Sequence, residues 1–192
     1  MRLFVAFDIP DNVVTVLSQA QKQLRQEIQA DRWQPMHNLH LTLHFLGEVN
    51  ESLLPSICED MNIVSSIIQP FTLVLGSFGA FPSIERPRVL WVGLEGNRKA
   101  LVQTHQLLGK RFDLHPGLSY DSREYKPHIT LARSPRFSQG VMPVQEWNEK
   151  FLPETPVRWQ VSQINLYRSE LRPEGAVHTI IHTAELAQKI LS

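Results

Sequence analysis

Alternating apolar and polar positions divide the chain into short strands and amphipathic helices. Residues 2–9 are near-continuously apolar and read as a first strand, ended by Pro10. Asp11 is placed to N-cap a helix whose stripe is Val13, Val14, Leu17, Ala20, Leu24 and Ile28. Trp33-Gln34-Pro35-Met36 reads as an extended connector into a strand, Asn38 to Leu46, closed by Gly47. Asn50 opens a second helix to about Ile68, with Pro55 early enough to delay its start. Strands are predicted at 71–75 and 88–94, joined by a loop from Gly76 to Pro87. Asn97 caps a third helix through Leu101, Leu108 and Phe112, and a polar loop, His115 to Glu124, leads into a strand around Lys126–Ala132. Residues 134–156, with four prolines and one glycine, read as the least regular stretch. Strands near 157–167 and 177–184 and a helical tail complete the pattern.

Helices and strands in this order lack the strict alternation of a doubly wound parallel sheet, so an α+β fold is expected. The first half, strand-helix-strand-helix, is loosely echoed by the second. That echo predicts two pseudo-symmetric lobes with antiparallel or mixed sheets flanking a central cleft, within a single bilobal domain covering 1–192.

Charge adds one constraint. Nineteen basic and nineteen acidic residues cancel, so no global field draws the protein onto polyanions, and any nucleic-acid contact must be local. Cys58 is the sole cysteine, which excludes an intrachain disulfide and a multi-cysteine zinc site and fits a reducing compartment. No apolar run is long enough for a signal peptide or a membrane span. A cytoplasmic protein with no membrane partner is expected.

The chemistry concentrates in two tetrapeptides, His40-Leu41-Thr42-Leu43 and His128-Ile129-Thr130-Leu131. In a strand, residues two apart share a face, so each copy presents an imidazole beside a hydroxyl, backed by aliphatics. With eight His, eight Thr and 24 Leu in 192 residues, roughly 0.04 such matches are expected by chance. Imidazole titrates near neutrality, so one ring can serve as base while the other serves as acid. The threonine hydroxyls suit an anionic oxygen held between them, and a phosphate fits that description. No carboxylate lies within either motif, so acid–base chemistry is expected over metal ligation, with no metal and no cofactor. The other histidines considered, His44, His105, His115 and His182, read as surface or satisfied core residues, although His44 shares a face with His40 in an unbroken strand. Arg133, three residues beyond Thr130, points away from the pair in a regular strand. It reaches a phosphate only if the strand ends or bulges after Leu131, and that break is predicted. A two-imidazole mechanism predicts a bell-shaped rate profile with both limbs near neutrality.

The doubled His-x-Thr-Leu resembles the signature of the two-histidine phosphoesterase superfamily. Fuller matches at residues 2–7, 38–47, 88–93 and 127–133 resemble its RNA 2′,3′-cyclic phosphodiesterase branch, also called the 2′-5′ RNA ligase family. That resemblance implies a metal-independent enzyme that opens terminal 2′,3′-cyclic phosphates of RNA 3′ ends or nucleotides to 2′-phosphomonoesters. It further implies a reverse ligase reaction; a monomer is expected. Carried onto this sequence, it makes His40 the proton donor and His128 the proton acceptor, with Thr42, Thr130 and Arg133 on the phosphate. The near-symmetry of the motifs leaves the two histidine roles unassigned by the residues alone. Phosphoesterases on other cyclic or 2′-5′-linked nucleotides, and a non-catalytic RNA-binding module, share the same motifs.

Overall fold

The chain crosses between two antiparallel sheets, and each histidine strand ends in a different one. The computed structural model describes residues 1–121, 123–137 and 142–187. Its strands are β1 (Arg2–Asp8), β2 (Gln29–Trp33), β3 (His40–Glu48), β4 (Phe71–Phe81), β5 (Val89–Gly96), β6 (His128–Arg136), β7 (Arg158–Val161), β8 (Gln163–Arg172) and β9 (Gly175–Glu185). The helices are α1 (Asp11–Glu27), α2 (Leu54–Ser65), α3 (Arg98–Phe112) and α4 (Val144–Phe151). One sheet runs β3-β1-β8-β9 and the other β2-β6-β5-β4-β7. α2 and α3 back the first sheet, while α4, with α1 beside it, backs the second. The opposite faces of both sheets are left for the cleft. Among the described residues no helix is long and apolar enough to cross a membrane.

The two lobes are not the sequential halves that the echo suggested. The first sheet takes its strands from both ends of the chain, and the second takes four from the middle and β2 from between β1 and β3. The single strand expected at 157–167 is in fact two, broken at Ser162, where the chain leaves β7 in one sheet for β8 in the other. The core is shared. Phe7 on β1 meets Phe71 on β4 edge-on at 5.8 Å, and one continuous apolar cluster contains buried residues of both sheets.

Several local readings change for identifiable reasons. Pro10, not Asp11, holds the N-cap position of α1, its carbonyl accepting from the Val13 and Val14 N–H groups. Asp11 is the first helical residue, where its charge complements the helix dipole. Asn50 does cap, but it caps the short 3₁₀ turn Glu51–Leu53, and α2 starts only with Pro55 in its first turn. β2 escaped the sequence because it is a short edge strand whose polar residues show no alternation; its pairing with β6 is tertiary. Between the extended connector expected at Trp33–Met36 and the strand expected from Asn38 lies a 3₁₀ turn, Met36–Asn38, that takes in the ends of both. β4 continues through Gly76 to Phe81 by way of a bulge, so the predicted 76–87 loop shrinks to 82–88. Gly76 permits this, because a Cβ there would meet the Gly93 backbone at 3.0 Å. The stretch 134–156 contains the end of β6 and all of α4, whose Trp147 and Phe151 are buried. The expected helical tail lies outside the described residues beyond 187.

Candidate active site

The two motifs fold alike. Along β3 and β6 the first six residues, His40–Phe45 and His128–Arg133, show the same sequence of half-buried, buried and exposed positions. His40, Thr42, His128 and Thr130 are half-buried, while Leu41, Leu43, Ile129 and Leu131 are buried beneath them. Both strands then bulge at the equivalent place. Against β1, Ala6 pairs with Thr42 but Val5 with His44; against β5, Trp91 pairs with Thr130 but Leu90 with Ala132. The extra residue puts two consecutive side chains on the core face. His44 therefore does not share the face of His40: it is 2% exposed, its Nε2 bonded to the His105 carbonyl at 2.8 Å. The same shift in β6 returns Arg133 to the face of His128 and Thr130, opposite Val89.

Each imidazole is held identically. His40 Nδ1 lies 2.7 Å from the Asn38 carbonyl, and His128 Nδ1 lies 2.6 Å from the Lys126 carbonyl. A carbonyl only accepts, so Nδ1 donates in both rings and Nε2 is left free with its lone pair. The rings rest on aromatic floors. Phe4 sits 4.7 Å from His40 and stacks on Tyr167 at 4.8 Å; Phe81 meets His128 edge-on at 4.8 Å. Trp91, 6.1 Å from His128, lies across Gly79, where a Cβ would come within 2.1 Å of the indole. Tyr167 donates to Asp8, whose other oxygen accepts from Asn165 at 2.6 Å.

Two straps lock the motifs to one another. The Tyr125 hydroxyl donates to the Thr42 carbonyl at 3.0 Å, one residue before the carbonyl that holds His128. In return the Leu131 carbonyl, at the β6 bulge, accepts from the Gln34 N–H at 2.8 Å and from Gln21 Nε2 at 3.1 Å. Gln34 in turn donates through Nε2 to the Asn38 carbonyl, the one that orients His40. Gln21 and Tyr125 were not anticipated; the buried glutamine on an apolar helix stripe was the available signal.

The electrostatics are cationic. Burial pushes His40 down to about 4, with the charges of His178, His128 and Arg133 acting in the same direction. His128 is lowered too, by burial and then by Arg133. Arg133 thus acts on both imidazoles, and His128 on His40. His178, which sequence reasoning overlooked for want of any motif, lies edge-on to His40 at 5.5 Å. Beside His40 a cavity of about 830 Å³ opens, lined by His37, Asn38, Tyr167 and His178 among others. Among the described residues no three His, Cys, Asp or Glu side chains converge as a metal site. His115 pairs with buried Asp60 at 2.5 Å, and His182 bonds Asn62, which leaves them structural.

A free imidazole and a hydroxyl from each of two facing strands, with a guanidinium beside them, define a two-histidine, anion-handling cleft. The chain belongs to the LigT like phosphoesterase family, whose pattern it matches over residues 7–91 and 97–178. It is 32% identical over 181 residues to the RNA 2′,3′-cyclic phosphodiesterase of Methanocaldococcus jannaschii, covering 94% of this chain and 98% of that one. It is 34% identical over 194 residues to the Thermus thermophilus protein of the same name, covering 97% and 90%. Among solved structures, E. coli LigT complexed with 3′-AMP superposes with a TM-score of 0.73 at 26% identity, covering 97% and 98% of the two chains.

Proposed function

We propose that this enzyme hydrolyses 2′,3′-cyclic phosphates at RNA 3′ ends or on nucleotides, giving 2′-phosphomonoesters by acid–base catalysis between His40 and His128. The observation that carries it is the matched pair of imidazoles, each with Nδ1 held by a carbonyl and Nε2 free. His128 Nε2 takes a proton from water as the water oxygen attacks phosphorus. His40, protonated on Nε2, gives its proton to the departing 3′-oxygen. The Thr42 and Thr130 hydroxyls and Arg133 bear on the non-bridging oxygens, where charge accumulates. A bound phosphate also opposes the burial and the cationic neighbours that together hold His40 deprotonated, so substrate itself favours the charged acid. The relatives' name supports the substrate, and run backwards the same groups join such an end to a hydroxyl. On this reading one chain, folded as one domain over 1–192, supplies both motifs and works as a monomer in a reducing cytoplasm.

The test is turnover of adenosine 2′,3′-cyclic phosphate after exhaustive chelation, with identification of the product isomer. The 2′-phosphate is expected with full activity. His40→Ala and His128→Ala should each lower kcat by roughly 10²–10⁴, and the double variant should be little worse than the poorer single. Activity lost with the chelated metal and restored by zinc, or a 3′-phosphate product, would overturn the mechanism. Nucleotide binding without turnover would make the protein a binding module.

A further inference from the structure

Arg32 on β2 stands directly opposite Arg133 on β6. Opposed residues of an antiparallel pair share a face, so Arg32 also looks into the cleft. Like charges in that position repel and destabilise the pairing. Among the described residues neither guanidinium has a carboxylate partner. The end of Arg32 reaches across to the other sheet: a Cβ on Gly175, at the start of β9, would lie 3.3 Å from its Nη2. There it joins Arg2 and the imidazoles of His37 and His178. Burial, and after it His37, Arg2 and Arg32, lower His178 below the usual histidine value, and its Nδ1 is buried without a partner among the described residues. His37 and His178 also line the cavity beside His40. Asp8 and Asp11 line that cavity too, whereas Arg2, Arg32 and Arg133 do not, so the carboxylates and the guanidiniums occupy different parts of the cleft.

A neutral protein thus sets the guanidiniums of Arg32 and Arg133 side by side on its cleft face without a carboxylate partner among the described residues, with Arg2 and the imidazoles of His37 and His178 nearby, beyond what a single terminal phosphate requires. The arrangement is favourable once an anion supplies the countercharge. We infer that Arg32, with Arg2, His37 and His178, forms a second phosphate subsite that takes the phosphodiester immediately upstream of the reacting nucleotide. The inference rests on the proposed activity and sharpens it: the substrate is an oligonucleotide end rather than a free cyclic mononucleotide.

Two measurements test it. The first compares kcat/KM on adenosine 2′,3′-cyclic phosphate and on the dinucleotide bearing one upstream phosphodiester and the same terminus. Wild type should favour the dinucleotide. Arg32→Ala, with Arg32→Gln as a second variant, should shrink that preference roughly ten- to a hundred-fold, the range of a hydrogen bond to a charged group. The second reads binding alone, by fluorescence anisotropy of a labelled oligoadenylate ending in a 2′-phosphate, across a salt series. Arg32→Ala should weaken it and flatten the slope of log K against log salt by about 0.7, the value for one lost phosphate contact on a single strand. The unliganded variant should melt no lower than wild type, because a repulsion has been removed. Equal losses on both substrates, or an unchanged slope, would overturn the subsite. Absence of turnover on both substrates would defeat the proposed activity, while the anisotropy series would still decide the role of Arg32.

Discussion

At the scale of single residues, the site is governed by where positive charge sits when no substrate is bound. Both imidazoles titrate below the usual histidine value, His40 near 4, through burial and then the charges of their neighbours. The expectation of two limbs near neutrality therefore moves for the free enzyme. On the proposed mechanism the reactive form holds one proton between two rings, and it is depleted tenfold per pH unit above the higher of their two values. With both values lowered, kcat/KM should already be falling at neutral pH. The kcat profile should lie at higher pH, because a bound phosphate anion raises both rings. Arg133 contributes to lowering each of them, so Arg133→Ala should move the alkaline limb of kcat/KM upward even as it cuts the rate. Steady-state profiles of wild type and variant from pH 4 to 9 read this directly. A limb that stays in place or moves to lower pH would mean that Arg133 does not share the site's field.

At the scale of elements, the paired bulges set the geometry, and they show where sequence reading succeeds and where it stops. The faces of His40, Thr42, His128 and Thr130 followed from strand periodicity. A strand end or bulge after Leu131 was predicted, to turn Arg133 inward, and β6 does bulge there. The twin bulge in β3 was not foreseen, which is why His44 was placed on the wrong face. A bulge depends on what satisfies the carbonyl it frees, and those donors, Gln34 and Gln21, lie about a hundred residues away in the chain. β2 and α4 were illegible for a related reason: the first depends on a distant partner strand, and the second is a single short amphipathic stretch among prolines. Tyr125 makes the reciprocal strap, and its hydroxyl is held protonated by burial. Tyr125→Phe should keep the ring stacked on His105, which it meets at 4.0 Å, and lose only the bond to the Thr42 carbonyl. Melting temperature should fall modestly, in line with about 1 kcal/mol for one hydrogen bond. kcat should fall several-fold with KM nearly unchanged, because the two motifs are less firmly set apart. A loss of stability alone would reduce the strap to a structural contact.

At the scale of the whole molecule, the interleaved chain path makes the two sheets interdependent. β1 feeds α1 onto the other sheet, β7 passes into β8 through Ser162, and the Ala187 N–H donates to the Ser65 and Ile68 carbonyls at the end of α2. Neither sheet can be completed without strands that the other delays. The tryptophans make this measurable, since Trp33, Trp91, Trp147 and Trp159 lie on β2, β5, α4 and β7, all within or against the second sheet. Tryptophan fluorescence therefore follows one lobe, while far-UV circular dichroism follows both. In urea the two signals should give one transition with a common midpoint and slope, as for a single cooperative unit. Phe71, buried where it meets Phe7 across the shared core, provides the perturbation. Phe71→Ala should destabilise by about 3–5 kcal/mol through lost burial and the cavity left behind. Because that cavity borders both sheets, the fluorescence and dichroism midpoints should move together. Midpoints that separate, in wild type or in the variant, would show that each lobe folds alone, and that the distance between the two histidines is set by docking rather than by a common core.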